Sequence, residues 1–233
     1  MQLARQTLQQ GLSSLDLSLG EDTQALLCRF LDAVLEQNKV MNLTAITDPA
    51  DAAKLHLVDS LSILKTADLA GKTLIDVGCG AGFPGVPLAI ACPEANITLL
   101  DSLGKRISWL EQILPQLGIS ASCITARAED AVATRREQFD FATSRAVARL
   151  NILLELTAPY VKVGGKVLAM KGAAAEEELL EAKNAITKLG LKLEKNDTFS
   201  IDGASHCVLV FTKIAPTPAK YPRRYAKIKQ SPL

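Results

Sequence analysis

Leu74-Ile75-Asp76-Val77-Gly78-Cys79-Gly80-Ala81-Gly82-Phe83-Pro84-Gly85 is a short apolar run carrying one acid, followed by four glycines in eight residues. This order predicts a buried strand, a tight glycine turn and a helix opening at Pro84, since proline is tolerated in a first helical turn. Glycine at such a turn lets a ligand approach bare backbone, because it has no Cβ and accepts positive φ.

Two cofactor classes use this device. Gly80, Gly82 and Gly85 fit the dinucleotide fingerprint G-x-G-x-x-G. Asp76 with Gly78, Gly80 and Gly82 fits the acidic D-x-G-x-G-x-G loop that holds S-adenosyl-L-methionine. Charge favours the second. A dinucleotide sets an anionic pyrophosphate on the turn, whereas the methyl donor brings an ammonium and a sulfonium. At an effective dielectric of about 20, unit charges about 4 Å apart interact by about 4 kcal/mol, so the sign at Asp76 outweighs the ambiguous glycines. The competing structural role for Asp76 is a strand-end acid that caps the turn through backbone bonds.

Outward from the loop, residues 1–70 show helical periodicity. Asp22 is the expected cap of a helix whose apolar stripe is Leu26, Leu27, Phe30, Leu31, Val34 and Leu35. Asp48-Pro49 opens a second helix through Leu55, Val58, Leu61 and Leu64. From residue 71 to 213 apolar strands alternate with amphipathic helices, which predicts an α/β fold with a mostly parallel seven-stranded sheet. The strands are expected at 73–77, 96–100, 121–125, 139–143, 165–170, 192–200 and 207–212. Helices are expected at 84–92, 103–117, 129–135, 150–160 and 174–189. The last two strands lack a long crossover and so pair antiparallel. Residues 214–233 form a basic tail, expected to be irregular because of Pro216, Pro218 and Pro222.

Hydrophobic residues make up 48% of the 233-residue chain, enough for a sizeable core. No apolar run approaches the roughly 18 residues of a membrane span, and the first residues lack the basic and apolar regions of a secretory signal. The five cysteines include no C-x-x-C pair, and no metal site is expected. The chain therefore reads as a cytoplasmic monomer with no membrane partner. The net charge of +1 conceals an asymmetry. From Lys213 onward there are six basic residues and no acid, against 20 basic and 25 acidic residues before it. A basic tail on an acidic body points to a polyanionic partner.

In an open α/β sheet the ligand lies at the carboxyl ends of the strands. Those ends carry Asp76 and the glycines, then Asp101 for ribose hydroxyls, then Ala128-Glu129 for the adenine edge, then Ser144-Arg145. Asp101 and Glu129 have the alternative role of helix caps. Lys105 and Arg106 stand in the first turn of a helix, where the macrodipole disfavours cations; either they pair with Asp101 or Glu129, or they meet an anionic substrate. Up to this point an oxidoreductase using a nicotinamide dinucleotide and a non-catalytic RNA-binding protein both remain open.

The run Asp76–Ala89 closely resembles the ribosomal RNA small-subunit methyltransferase G family, also called the glucose-inhibited division protein B family. So do Leu99–Arg106, Asn42-Leu43-Thr44, His56 with Asp59-Ser60, Ser144-Arg145-Ala146, Met170-Lys171-Gly172 and Tyr221-Pro222-Arg223-Arg224. The resemblance implies a class I methyltransferase (Rossmann-like) fold with an N-terminal helical extension. It implies methyl transfer from S-adenosyl-L-methionine to guanine N7 in the 530 loop of 16S ribosomal RNA, on the RNA or the small subunit. It also sets the cofactor against Gly78, Phe83, Ala128-Glu129 and Arg145. Guanine N7 carries an unprotonated lone pair, so no general base is expected and positioning dominates. Consistently, Ala142–Val147 contains neither the Asn/Asp-Pro-Pro-Tyr segment of exocyclic-amine methyltransferases nor a Pro-Cys nucleophile. Arg145 is the candidate catalytic residue, donating either to the cofactor carboxylate or to guanine O6. Candidates for RNA phosphate contacts are Lys105, Arg106, Arg149, Lys171, Arg223, Arg224, Lys227 and Lys229.

Overall fold

The computed structural model describes residues 2–233. Strands β1 (Thr73–Val77), β2 (Asn96–Asp101), β3 (Ser122–Thr125), β4 (Phe139–Arg145), β5 (Val161–Lys171), β6 (Leu191–Ile201) and β7 (Ala204–Lys213) form one sheet. Its order is β3-β2-β1-β4-β5-β7-β6. Pairing is parallel from β3 through β5, and β7 runs antiparallel between β5 and β6, as the alternation of elements predicts. The chain direction across the sheet reverses between β1 and β4, which is where open α/β sheets hold ligands.

Helices α1 (Gln2–Ser14), α2 (Glu21–Met41), α3 (Pro49–Ala52) and α4 (Asp59–Leu61) precede the sheet. Helices α5 (Gly85–Ala91), α6 (Gly104–Gln116), α7 (Ala128–Ala131) and α8 (Leu150–Thr157) follow β1 to β4 in turn. Helices α9 (Ala175–Glu181) and α10 (Lys183–Lys188) lead into β6, and α11 (Tyr225–Gln230) lies in the tail.

Successive strand residues point to opposite faces, so Leu74 and Ile75 enter different cores. Leu74 belongs to the core that includes Leu8, Phe30, Leu57, Leu99 and Leu110, while Ile75 belongs to the one that includes Leu154, Tyr160, Phe211 and Tyr221. A strand buried on both sides reads as a near-continuous apolar run, interrupted in β1 by Asp76. The first core includes α1 and α2, so the N-terminal extension is fastened to the sheet by apolar burial worth roughly 1.5–3 kcal/mol per large side chain.

Local differences from the sequence reading have physical causes. Asp48 caps α3 as expected, accepting bonds from the Ala50 and Asp51 amides at 2.9 and 3.0 Å. Asp22 is not a cap: α2 begins one residue earlier, with Gly20 at the N-cap position and no side-chain bond there. The second N-terminal helix is interrupted, widening into one π-helical turn (Ala53–Val58) between α3 and α4. Such widened turns gather at functional sites. The expected 174–189 helix divides at Ala182, whose ψ of 0° leaves the helical range and whose side chain is fully buried.

The tail is the largest correction. Residues 214–224 carry no helix or strand, as expected, but Tyr225–Gln230 form α11, which packs against α8, and Tyr221 and Ile228 are buried. Arg223 bonds the fully buried Glu155 carboxylate through its amide at 2.9 Å, Nε at 2.8 Å and Nη2 at 2.6 Å. A buried carboxylate requires such a partner. Lys213 is likewise not a tail cation; it ends β7 fully buried, its Nζ donating to Glu137 and to the Ala158 and Val161 carbonyls.

Candidate active site

A cavity of about 550 Å³ opens at the carboxyl ends of β1, β2, β3 and β4. Its floor is Gly78, Cys79 and Gly80. Leu43, Thr44, His56, Phe83 and Arg145 form one end, on the β4 side. Asp101 stands beside the glycines, and Arg127, Ala128, Glu129 and Tyr225 form the end beyond β3. The volume lies within the usual range for a small-molecule site.

The glycine turn is closed upon itself. Gly78 and Cys79 amides both donate to the Leu100 carbonyl, Gly82 and Phe83 amides to the Cys79 carbonyl, and the Gly80 amide to Asp101 Oδ2. The Gly85 amide donates to Asp76 Oδ2 at 2.8 Å. A phosphate cradle needs such amides free and pointed at the ligand. With these donors spent and two carboxylates beside them, the turn does not suit a pyrophosphate, and the dinucleotide alternative falls.

Asp76 takes its structural role. It is fully buried behind the loop, does not line the cavity, and leaves Oδ1 with no partner. The direct contact with a cationic ligand expected of it is therefore replaced by a cap on the turn. Gly82 also lies outside the cavity; a Cβ there would meet Val86 at 2.7 Å and both Leu110 and Phe30 at 3.1 Å, so packing requires this glycine. Gly78, by contrast, lines the cavity with φ +78°, and a Cβ would strike Val147 at 2.5 Å.

Burial pushes the Asp76 carboxyl up to about 7, against the opposing effects of the Gly85 amide and Arg145. The unfolded chain ionises this group near 3.9. Between these values the folded state holds a proton that the unfolded state has lost, so stability falls as pH rises from about 4 to about 7. Asp76→Asn is neutral throughout and removes that slope. Urea unfolding at pH 4.5 and 7.5 should show the wild type losing about 3 kcal/mol relative to the variant; parallel pH profiles would show that the carboxyl titrates normally.

Asp101 bridges two loops. Oδ2 accepts from Gly80 and Oδ1 from the Leu103 amide at 2.8 Å, leaving one lone pair on each oxygen at the cavity wall. Glu129 Oε1 accepts from the Tyr225 amide at 3.2 Å, so the tail completes this end of the cavity. The Ala128 carbonyl accepts from Tyr160 Oη at 2.6 Å.

The opposite end is a polar network around Phe83. The His56 ring stacks on Phe83 at 4.7 Å, and Arg145 Cζ lies 5.5 Å from the same ring. Arg145 Nη1 donates to the Leu55 carbonyl and to Asp59 Oδ2, the latter at 3.1 Å, while Nη2 approaches His56 Nδ1 at 3.1 Å. Asp59 Oδ1 meets His206 Nδ1 at 3.0 Å, and this bond holds the His206 pKa above its ordinary value. His56 Nε2 lies 2.8 Å from Thr44 Oγ1. Burial, aided by Arg145, lowers the His56 pKa to about 4, so the ring is neutral at pH 7.

The cations expected to meet RNA divide into two groups. Arg149 is held by Glu177 and Glu181, Lys171 by Glu178 and the Ala148 carbonyl, and Arg223 by Glu155. These charges are neutralised within the fold. Among the described residues, Lys105, Arg106, Arg224, Lys227 and Lys229 make no ion pair. The expectation that Lys105 and Arg106 pair with Asp101 or Glu129 is thus not met; Arg106 lines the cavity instead. Arg127 and Tyr225 were not candidates. Arg127 immediately precedes Ala128-Glu129 and was findable on that ground, whereas Tyr225 reaches the cavity only because the tail docks.

The family described as rRNA small subunit methyltransferase G matches residues 23–206. The chain is 40% identical over 236 residues to the ribosomal RNA small subunit methyltransferase G of Alkaliphilus metalliredigens, covering 99% of each. It is 42% identical over 223 residues to that of Clostridium kluyveri, covering 94% of each. Among solved structures it resembles a TehB-like S-adenosylmethionine-dependent methyltransferase from Corynebacterium glutamicum, with a TM-score of 0.52 and 19% identity. That likeness, covering 78% of this chain and 98% of the other, speaks to the fold alone. With a sheet of methyltransferase topology, a turn closed to phosphate and near full-length relatives, the chain belongs to the rRNA small subunit methyltransferase G family.

Proposed function

We propose that the chain transfers a methyl group from S-adenosyl-L-methionine to N7 of a guanine in the 530 loop of 16S ribosomal RNA, acting as a cytoplasmic monomer on the RNA or the small subunit. The observation that carries this reading is the cavity itself: its walls carry the Asp101 and Glu129 carboxylates and its glycine turn spends its amides internally, which suits an uncharged adenosine with a cationic sulfonium. When bound, S-adenosyl-L-methionine supplies an electrophilic methyl group.

Gly78 and Gly80 give the ligand access to backbone, and the free lone pairs of Asp101 receive the ribose hydroxyls. Ala128, Glu129 and Tyr225 bound the adenine. Phe83 and Arg145 border the transfer end, where Arg145 donates to guanine O6 as N7 becomes cationic. None of these residues removes a proton, in keeping with a nucleophile that is already unprotonated. The work of the site is orientation and exclusion of water around reacting atoms about 3–3.5 Å apart.

Phosphates of the RNA meet the unpaired cations at the cavity rim, Arg106 and Arg127, together with Lys105, Arg224, Lys227 and Lys229. Replacing both Arg106 and Arg127 by alanine should weaken RNA binding and reduce the log–log salt slope by roughly 0.7–0.9 per lost contact. An unchanged slope would place the RNA elsewhere. The activity itself is tested by label transfer from the methyl donor to small-subunit particles lacking the modification, followed by nucleoside analysis. N7-methylguanosine is the expected product, and any other nucleoside refutes the assignment.

A further inference from the structure

Thr44 and His56 lie at the cavity's β4-side end, and their hydrogen bonds fix each other completely. Arg145 Nη2 faces His56 Nδ1 at 3.1 Å. A guanidinium has no acceptor, so Nδ1 must be the unprotonated nitrogen and Nε2 must carry the hydrogen. Nε2–H then donates to Thr44 Oγ1 across 2.8 Å. The same Oγ1 accepts from the Ile46 amide at 3.1 Å. Both its lone pairs are therefore occupied, and the hydroxyl hydrogen has no acceptor among the described residues. Thr44 is further held by its own amide, which donates to Asn38 Oδ1 at 2.9 Å.

The arrangement leaves one oriented donor on the wall of a cavity, beside the guanidinium of Arg145. A donor kept free by two bonds into its own oxygen suits an anionic acceptor. In a ligand built of adenosine and an amino acid, with the adenosine toward Asp101 and Glu129, that acceptor is the terminal carboxylate. We propose that Thr44 binds this carboxylate through its hydroxyl, and that His56 is the positioning residue that turns the hydroxyl toward it. The proposal rests on the cofactor assigned above and adds to it two residues and the ligand group they serve.

The test compares two ligands by titration calorimetry. S-adenosylhomocysteine carries the amino acid, and 5′-methylthioadenosine lacks it. Thr44→Val keeps the side chain's shape and removes the donor. It should weaken S-adenosylhomocysteine about tenfold or more, in line with loss of a hydrogen bond to a charged group. Binding of 5′-methylthioadenosine should stay within twofold. Thr44→Ser should restore the lost affinity, and His56→Phe, which keeps a ring on Phe83, should reproduce the valine pattern. Equal weakening of both ligands would mean a distorted cavity and overturn the proposal. Undiminished S-adenosylhomocysteine binding with slowed transfer would also overturn it, placing the acceptor on the RNA base. Wild-type protein binding neither ligand would sink the cofactor assignment and the proposal together.

Discussion

Arg145→Ala should lower single-turnover methyl transfer about 10²–10³-fold at saturating cofactor, with cofactor affinity changing by less than about tenfold. The magnitude is that of removing one oriented donor from a site where charge develops. Three donor hydrogens of the guanidinium are already directed at the Leu55 carbonyl, Asp59 and His56. Its charge is shared with a buried acid, which makes it a fixed donor rather than a free counter-ion for a carboxylate. Stopped-quench transfer and calorimetry on the same preparations separate the two roles. Equal losses in transfer and affinity would assign Arg145 to the cofactor carboxylate instead. Arg145→Lys should recover little, because one ammonium cannot reproduce a planar fork serving three partners.

Arg223→Met should destabilise the fold by about 3–5 kcal/mol, the cost of leaving a buried acid uncompensated. At roughly 2–4 °C per kcal/mol for a chain of this size, the melting temperature should fall by on the order of 10 °C. Methionine keeps the apolar stem, so the loss reports on Glu155 rather than on packing. Arg224→Met, one residue along but exposed, is the control and should cost less than about 0.5 kcal/mol. Converting Glu155 to leucine in the Arg223→Met background should recover much of the loss, since an apolar pair replaces a broken ionic one. If Arg223 and Arg224 variants melted alike, the ion pair would carry no stability. Deleting the whole tail should do more than remove RNA contacts, because Tyr225 and the Glu155 partner leave with it.

The sheet was legible chiefly through β1 and β2, which are buried on both faces over most of their length and so write themselves as mostly apolar runs between turn residues. The end of the cavity that carries the glycines and acids was legible for a related reason. Glycines and acids at strand ends have few other reasons to stand there, so Gly78, Gly80, Asp101 and Glu129 were found at the cavity. Asp76 was found but misread in role: sequence gives its charge and position, whereas burial decides whether that charge faces the ligand or the backbone. The ion pairs of Arg149, Lys171 and Arg223 were equally hidden, since the acids they bond lie seven or more residues away, up to 68 for Arg223 and Glu155. The network joining Thr44, His56, Asp59, Arg145 and His206 draws on four separate segments, and only the fold assembles it.

The π-helical turn at Ala53–Val58 sets the phase of that network. In an α-helix each residue advances the chain by about 100°, so one residue more or fewer re-aims everything on one side of the turn. His56 lies inside the widened turn and Asp59 just after it, and both meet Arg145. The segment is thus a clockwork in which length matters more than identity: its outward residues are open to exchange, but a single deletion would swing His56 and Asp59 out of common reach.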